Sequence, residues 1–270
     1  MAQDMATEVD GLHCIAHPAA GGKTFLFVNA LTGSTDHWET SIAPALRAAG
    51  HGTISYNFRG QVKTRFTDAD LLDETQIVRD LRTVAAAKAE EPPVLVGLSI
   101  GGLFAARAML TGTQAAGLVL INTLREPGLT LDWTNEAVFR AAQIGGSQLV
   151  MDLFLPMLLG PEKLTEMRAN CLGNAGYEPL APESGIYKLI ERSRDADWDV
   201  PYENLDVPTL VITGEKDRIF LNRDAVDRLK RRLPRSREVV LPEAGHLIPV
   251  EAPKAVADAL ASFAGELDGN

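Results

Sequence analysis

One short stretch limits the possible fold more than any other part of the sequence. It reads Val94-Leu95-Val96-Gly97-Leu98-Ser99-Ile100-Gly101-Gly102. An apolar strand-like run enters a Gly-x-Ser-x-Gly turn, and the small, apolar residues after it favour a helix. A serine at such a turn takes strained backbone angles, and side chains at the flanking positions would collide with the neighbouring strand or helix. The hydroxyl is lifted above the sheet, beside the positive end of the helix. We therefore predict that Ser99 is a nucleophile; the alternative is a glycine-rich packing turn.

Short apolar runs alternate with amphipathic stretches on both sides of this turn. This alternation is typical of a parallel sheet whose two faces are covered by helices. The predicted strands are 12–17, 24–28, 53–58, 94–97, 117–122, 209–213 and 238–241, and the predicted helices are 38–49, 74–90, 103–110, 223–233 and 253–264. We predict the α/β class, with a mostly parallel twisted sheet and helices on both faces.

The alternation stops between residues 124 and 200, where the composition is helical and rich in aromatic residues and methionine. We therefore predict a core domain formed by 1–123 and 201–270, with residues 124–200 inserted as a helical cap. The apolar face of a cap has to bury against the rim of the sheet beneath it. Trp133 and Phe154 are therefore candidates to line a substrate pocket, although ordinary cap packing is the alternative. Arg125, just past a strand end, is a candidate to bind a substrate carboxylate or else a plain surface arginine.

A serine nucleophile needs a histidine base that is itself oriented by a carboxylate. The loop after strand 209–213 contains Glu215 and Asp217, and the loop after strand 238–241 contains His246. In a parallel sheet these loops lie at the same edge as the serine turn. We predict His246 as the base and Asp217 as its orienting acid, with Glu215 as the competing acid.

The loop after strand 24–28 reads Asn29-Ala30-Leu31-Thr32-Gly33. A strand end followed by small residues can bring backbone N–H groups beside a nucleophile, where they would form an oxyanion hole. The alternative is an ordinary connection between a strand and a helix.

Charge and cysteine usage restrict the partners. A net charge of -10 over 270 residues argues against nucleic acid and against an anionic membrane surface, because both would repel the chain. No stretch is long and apolar enough to span a bilayer. Cys14 and Cys171 match no metal-binding spacing, and the residues before Phe25 lack the pattern of a signal peptide. We expect a cytoplasmic protein that acts on a small molecule without a metal or cofactor.

The serine turn, the Gly214-Glu215-Lys216-Asp217 loop and the Gly245-His246 loop together resemble the α/β-hydrolase superfamily. The chain order of nucleophile, acid and histidine agrees with that resemblance. The resemblance implies Ser99 as nucleophile, His246 as base and Asp217 as its orienter. It also implies that the N–H groups of Leu31 and Ile100 form the oxyanion hole.

The oxyanion loop differs from the pattern of many members, which have His-Gly where this chain has Asn29-Ala30. An asparagine there resembles enol-lactonases, and we count Asn29 among the candidate substrate-binding residues. The run Ala30-Leu31-Thr32-Gly33 resembles homoserine acyltransferases. Serine at the turn excludes the haloalkane dehalogenase and epoxide hydrolase routes, which need a carboxylate nucleophile.

The resulting prediction is hydrolysis of a small to medium carboxylic ester or lactone through an acyl-serine intermediate. Three alternatives stay open at this point. They are a carbon-carbon bond hydrolase acting on a β-diketone-like substrate, an acyltransferase, and a non-catalytic ligand receptor built on the same fold.

Overall fold

The computed structural model describes residues 6–172 and 176–268, which form one eight-stranded sheet flanked by helices. The strands are β1 (Ala6–Val9), β2 (Leu12–His17), β3 (Thr24–Val28), β4 (Gly52–Tyr56), β5 (Val94–Leu98), β6 (Gly117–Ile121), β7 (Thr209–Gly214) and β8 (Ser236–Leu241). Their order in the sheet is β1-β2-β4-β3-β5-β6-β7-β8. The strands from β4 to β8 in this order are parallel, and β1 and β2 extend one edge in antiparallel fashion.

Helices cover both faces of the sheet. They are α1 (Asp36–Glu39), α2 (Ile42–Ala48), α3 (Glu74–Lys88), α4 (Ile100–Leu110), α5 (Leu129–Leu158), α6 (Pro161–Met167), α7 (Gly185–Ser193), α8 (Arg223–Arg231), α9 (Ile248–Glu251) and α10 (Pro253–Asp268). Alternate residues of β3 enter two different cores, because successive side chains of a strand point to opposite faces. Leu26 packs in the core that includes α3, α4 and α8, whereas Phe25 and Phe27 pack in the core that includes α2 and α10.

The predicted mostly parallel sheet with helices on both faces is confirmed. One difference lies in the predicted helix 38–49, which is divided into α1 and α2. Pro44 explains the division. Proline disrupts the interior of a helix, because it lacks an N–H and its ring clashes with the preceding turn, but it is tolerated in the first turn. The chain accordingly leaves helical geometry at Ser41 and restarts at Ile42. Further differences are β1, a short edge strand, and the short helix α9, neither of which the sequence predicted.

Only helices and irregular segments lie between β6 and β7 in the part of this region that the structure describes. The long helix α5 is kinked at Gly145 and Gly146, where the backbone is not helical. A small apolar cluster of α5 and α7, centred on Phe139 and Ile190, packs against Leu31 in the loop after β3. The helical segment therefore covers the carboxyl edge of the sheet, while its division from the core at residues 124 and 200 stays a prediction. None of the described helices has the length and apolar character needed to cross a membrane.

Candidate active site

Ser99 occupies the sharp turn between β5 and α4 with φ 57° and ψ -124°, a strained conformation for a residue other than glycine. Its N–H donates a 2.8 Å hydrogen bond to the carbonyl of Ile121 on the neighbouring strand. A Cβ on Gly97 would collide with the backbone of Gly102, and one on Gly101 would collide with carbonyl oxygens at the end of β3. The glycines thus allow the serine turn to sit directly against the loop that follows β3.

A continuous chain of hydrogen bonds joins Ser99, His246 and Asp217. Ser99 Oγ lies 3.0 Å from Nε2 of His246, and Nδ1 of His246 lies 2.6 Å from Oδ2 of Asp217. A carboxylate can only accept at Nδ1, so a neutral His246 has its hydrogen there and a free lone pair at Nε2. That is the tautomer which can take the serine proton. All three side chains are at least nine-tenths buried.

Asp217 is held as an anion by its surroundings. Its Oδ1 accepts hydrogen bonds from the N–H groups of Ile219 and Phe220 at 3.1 and 2.9 Å. Burial alone would raise the pKa of Asp217, but His246, the Phe220 N–H and Arg125 together hold this pKa below its usual range. Glu215, the competing acid, is exposed and forms an ion pair with Arg223 at 3.2 Å. The geometry therefore favours Asp217.

Asn122, at the end of β6, connects the loops that carry the acid and the histidine. Its Nδ2 donates to the carbonyl oxygens of Gly245 and His246, both at 2.9 Å. Its Oδ1 accepts from the N–H of Gly214 at 2.9 Å. Asn122 has φ 46°, a left-handed conformation that asparagine tolerates better than most residues. Three strand ends are thus fixed by one amide, a role that the sequence analysis did not identify.

Glu251 fixes the histidine loop from the other side. Its carboxylate accepts hydrogen bonds from the N–H groups of Gly245 and Leu247 at 2.8 and 3.0 Å. It also accepts from the N–H of Gly160, just beyond the end of α5, at 2.7 Å. This second residue missed by the sequence analysis therefore links the histidine loop to the helical segment.

The end of α5 makes two further hydrogen bonds to the loops that carry Asp217 and His246. The Met157 carbonyl accepts from the N–H of Arg218 at 2.8 Å, directly after Asp217. The Leu158 carbonyl accepts from the N–H of His246. The helical segment therefore holds the backbone of both loops in addition to covering the site.

The Asn29 side chain is used inside the protein. Its Nδ2 donates to the carbonyl of Tyr56 and to Oε1 of Gln61, each at 2.9 Å, and its Oδ1 accepts from Nε1 of Trp38 at 2.8 Å. Asn29 is 1% exposed. These bonds occupy both polar atoms of the amide, so the structure gives Asn29 a place in the support of the loop and not at the surface of a pocket.

Gln61 orients the same loop, although no motif in the sequence marks it. Its Nε2 donates to the carbonyl oxygens of Ala30 and Leu31 at 2.9 and 3.0 Å. Because a trans peptide points its C=O and N–H in opposite directions, the Ala30 contact turns the N–H of Leu31 away from Gln61. The N–H of Ile100, in the first turn of α4, has no acceptor within its own helix. The N–H groups of Leu31 and Ile100 therefore both remain candidates for the donors of an oxyanion hole.

Arg125 reaches Ser99, the candidate nucleophile. Its Nη2 donates to Ser99 Oγ at 2.7 Å and to the carbonyl of Asn122 at 3.1 Å. The guanidinium lies between the rings of Trp198 and Phe220, with its carbon 4.7 and 4.1 Å from their centroids. Burial lowers the pKa of Arg125 to about 10, so the group stays a cation at neutral pH. The site thus contains a buried positive charge in contact with the serine oxygen.

The two aromatic candidates of the cap differ in position. Trp133 is 73% exposed, on the solvent side of α5, and the structure does not gather it with the buried triad. Phe154 is half-buried on the same helix. The aromatic rings that surround the site are instead Trp198 and Phe220, and Phe220 also packs on the ring of His246 at a centroid distance of 4.9 Å.

Within residues 6–172 and 176–268, no three or more His, Cys, Asp or Glu side chains are grouped so that they could hold a metal ion. The expectation that the protein needs neither metal nor cofactor stays a prediction.

Comparison with known proteins identifies the family of the chain. A model of the alpha/beta hydrolase family matches residues 25–259. The chain belongs to this family of enzymes. Among curated proteins, the pimeloyl-(acyl-carrier protein) methyl ester esterase of Pectobacterium atrosepticum is 26% identical over 195 residues, which cover 69% of this chain and 76% of that protein.

Solved structures share the fold at low sequence identity. MGS-M2, an alpha/beta hydrolase enzyme from a Medee basin deep-sea metagenome library, has a TM-score of 0.78 and 18% identity over 94% of each chain. The enol-lactonase of Burkholderia xenovorans LB400 has a TM-score of 0.75 and 17% identity, covering 96% of this chain and 98% of that chain. At such identity these likenesses show the fold alone.

Proposed function

We propose that the protein is a serine hydrolase that cleaves small to medium carboxylic esters or lactones through an acyl-serine intermediate. The observation that carries the proposal is the buried chain from Ser99 through His246 to Asp217, with bonds of 3.0 and 2.6 Å. Nucleophile, base and orienting acid are already within hydrogen-bonding reach of one another, which is the geometry that this chemistry requires.

In the first half of the proposed reaction, Ser99 Oγ attacks the carbonyl carbon while His246 Nε2 takes the hydroxyl proton. The resulting oxyanion accepts hydrogen bonds from the N–H groups of Leu31 and Ile100. When the tetrahedral intermediate collapses, the carbon-oxygen bond to the leaving group breaks. The leaving alkoxide takes the proton from His246, and the acyl group stays on Ser99.

In the second half, His246 removes a proton from water, and the hydroxide so formed attacks the acyl-serine. Collapse of the second tetrahedral intermediate returns the proton to Ser99 and releases the carboxylic acid. Asp217 stays ionised and stabilises the imidazolium that forms in each half. The esterase among the curated relatives supports this reaction class.

The test is to treat the purified protein with a fluorophosphonate probe and, separately, with short p-nitrophenyl esters and simple lactones. We expect the probe to label the wild-type protein at Ser99 and to leave the Ser99→Ala variant unlabelled. We also expect turnover of at least one ester or lactone, lost in the same variant.

Labelling of Ser99 without turnover of any ester or lactone would contradict ester hydrolysis. It would favour carbon-carbon bond hydrolysis or acyl transfer, both of which use the same triad. Absence of labelling and turnover together would favour a non-catalytic receptor.

A further inference from the structure

Arg125 is a buried cation without a buried counterion in direct contact. It is 7% exposed, and none of the described carboxylates forms an ion pair with it; Asp217 acts on its charge from a greater distance. Taking a charge out of water without a paired anion is costly, so buried charges are normally paired. Two aromatic faces and two neutral oxygen acceptors compensate only part of that cost. The remaining attraction is available to an anion that enters the site.

The hydrogen-bonding groups of the guanidinium show where such an anion would bind. Both hydrogens of Nη2 are used, by Ser99 Oγ and by the Asn122 carbonyl. Nε is enclosed and has no partner in the described part of the chain. Nη1 makes no hydrogen bond to a described residue and, unlike Nε, is not enclosed. Nη1 is therefore the accessible donor of a side chain whose other terminal nitrogen touches the nucleophile.

We propose that Nη1 of Arg125 binds a carboxylate group of the substrate, so that the protein is selective for esters or lactones that carry an acid substituent close to the scissile carbonyl. This proposal rests on the proposed hydrolytic function, because it names the substrate class of that same site. A guanidinium is a strong donor to carboxylates, and its bonds to them are shorter and stronger than neutral ones.

Geometry limits the distance between the acid group and the reacting carbon. A carboxylate oxygen would lie about 2.8 Å from Nη1. The reacting carbonyl carbon would lie roughly 3 to 3.5 Å from Ser99 Oγ. Since Nη1 and Nη2 belong to the same planar group and Nη2 is 2.7 Å from that Oγ, only a few bonds can separate the two ends of the substrate. Monoesters of short dicarboxylic acids and small lactones with a carboxylate substituent fit this limit.

Net charge makes this recognition a local property of the site. With a net charge of -10, the protein as a whole repels anions. Selectivity for an anionic substrate therefore has to come from a desolvated cation close to where the substrate binds. The low polarity around Trp198 and Phe220 strengthens the attraction, because fewer water molecules screen it.

The experiment compares methyl hydrogen glutarate and methyl hydrogen succinate with the methyl esters of glutaramic and succinamic acid. Each pair differs only by a terminal carboxylate or a terminal amide of the same shape. We expect wild-type kcat/KM to be larger for the acid of at least one pair, on the order of 10- to 100-fold, the range of a charged hydrogen bond. Equal or faster hydrolysis of the amide in both pairs would overturn the proposal.

Two variants assign the selectivity to Arg125. Arg125→Met should reduce the ratio of acid to amide toward one, whereas Arg125→Lys should retain part of it. Arg140→Met is the matched control, since it removes the same charge from an exposed position on α5. It should leave the ratio unchanged. A ratio that survives in Arg125→Met would overturn the assignment.

A binding measurement keeps the test independent of turnover and of how well the Arg125 variants fold. Isothermal titration of the wild-type protein with glutarate should show saturable binding that glutaramide does not reproduce, and absence of such binding would overturn the proposal. Binding of glutarate without labelling of Ser99 by fluorophosphonate would retain the carboxylate site and reject the hydrolase. Labelling and turnover without selectivity or glutarate binding would retain the hydrolase and reject the carboxylate site.

Discussion

Nη2 of Arg125 lies 2.7 Å from Oγ of Ser99, so a cation touches the proposed nucleophile directly. A guanidinium can only donate hydrogen bonds, and the serine oxygen is therefore the acceptor in this contact. The hydrogen of the hydroxyl is left for Nε2 of His246, 3.0 Å away. Arg125 thus orients the hydroxyl in the direction that proton transfer needs.

Loss of the nucleophile or the base should remove nearly all activity. We expect Ser99→Ala and His246→Ala each to reduce kcat by a factor on the order of 10⁴ or more, because the two residues act as one unit. The measurement is kcat on the best ester or lactone, with circular dichroism to show that each variant is folded. Substantial turnover in Ser99→Ala would rule out the acyl-serine intermediate.

The two acidic residues of the loop after β7 should differ sharply. Asp217→Asn should reduce kcat strongly, because an amide at Oδ2 cannot hold the tautomer of His246 that accepts the serine proton. Glu215→Gln is the matched control and should have little effect, since Glu215 is exposed and paired with Arg223. Steady-state kinetics on both variants decide the matter, and a larger loss in Glu215→Gln would reverse the assignment.

The acid side of the pH profile should show a single protonation. The reaction needs the neutral ring of His246, because only that form can accept the serine hydrogen. Asp217 does not add a second protonation there, since its pKa is held below the usual range and it stays ionised. The logarithm of kcat/KM against pH should therefore have a slope of about one on its acid limb. A slope near two would show that both groups titrate together.

The Gln61 side chain should stabilise the transition state more than it stabilises the complex with substrate. Gln61→Ala removes the hydrogen bonds that orient the carbonyls of Ala30 and Leu31, so the Leu31 N–H is no longer aimed at the oxyanion. We expect kcat to fall on the order of 10- to 100-fold with little change in KM, somewhat less than direct loss of an oxyanion donor. Affinity for a boronic acid, which becomes tetrahedral on Ser99, should fall in parallel.

Gln143→Ala provides the control for this prediction, because the exposed Gln143 amide donates to the hydroxyl of Tyr187 and to no other residue that the structure describes. It should change neither kcat nor boronic acid affinity. If Gln61→Ala weakened binding of the planar product acid as much as that of the boronic acid, its role would be general support of the loop and not orientation of the oxyanion donor.

Selectivity for acidic substrates should be constant from about pH 6 to 9. Burial lowers the pKa of Arg125, but only to about 10, while the nearby Asp217 and Tyr202 oppose the shift. The guanidinium therefore keeps its charge across this range, and a substrate carboxylate is ionised throughout. In Arg125→Lys the preference should decline as pH rises, because a buried lysine loses its proton more readily. If the wild-type preference were already lost at pH 8 as the pH is raised, this view would be contradicted.

The sequence predicted the parallel sheet and the positions of Ser99, Asp217 and His246 because each of these residues follows a strand in a short, recognisable motif. Gln61, Asn122 and Glu251 left no such signal. Gln61 acts on a backbone about 30 residues away in sequence, and Asn122 on one more than 120 residues away. Which partners such amides and carboxylates meet depends on the packing of distant loops.

Predictions for the cap were incomplete for the same reason, because contacts between distant segments leave no local signal in the sequence. Helical spacing of Trp133 and Phe154 predicted an apolar helix, yet spacing does not show which side of α5 faces the serine. The position of Arg125 past a strand end did place it near the catalytic edge. Its contact with the Ser99 hydroxyl depends on Trp198 and Phe220, which lie far apart along the chain.

The attachment of the end of α5 to the loops that carry Asp217 and His246 has a consequence for how this protein can diverge or be redesigned. A cap taken from a relative and grafted between residues 124 and 200 would replace Met157, Leu158 and Gly160, which hold the backbones beside Asp217 and His246. Such a chimera would lose catalytic alignment along with its old specificity. The part of α5 that precedes the kink at Gly145 has no share in those bonds. New substrate preferences are therefore easier to acquire there, where sequence can vary without misaligning the machinery.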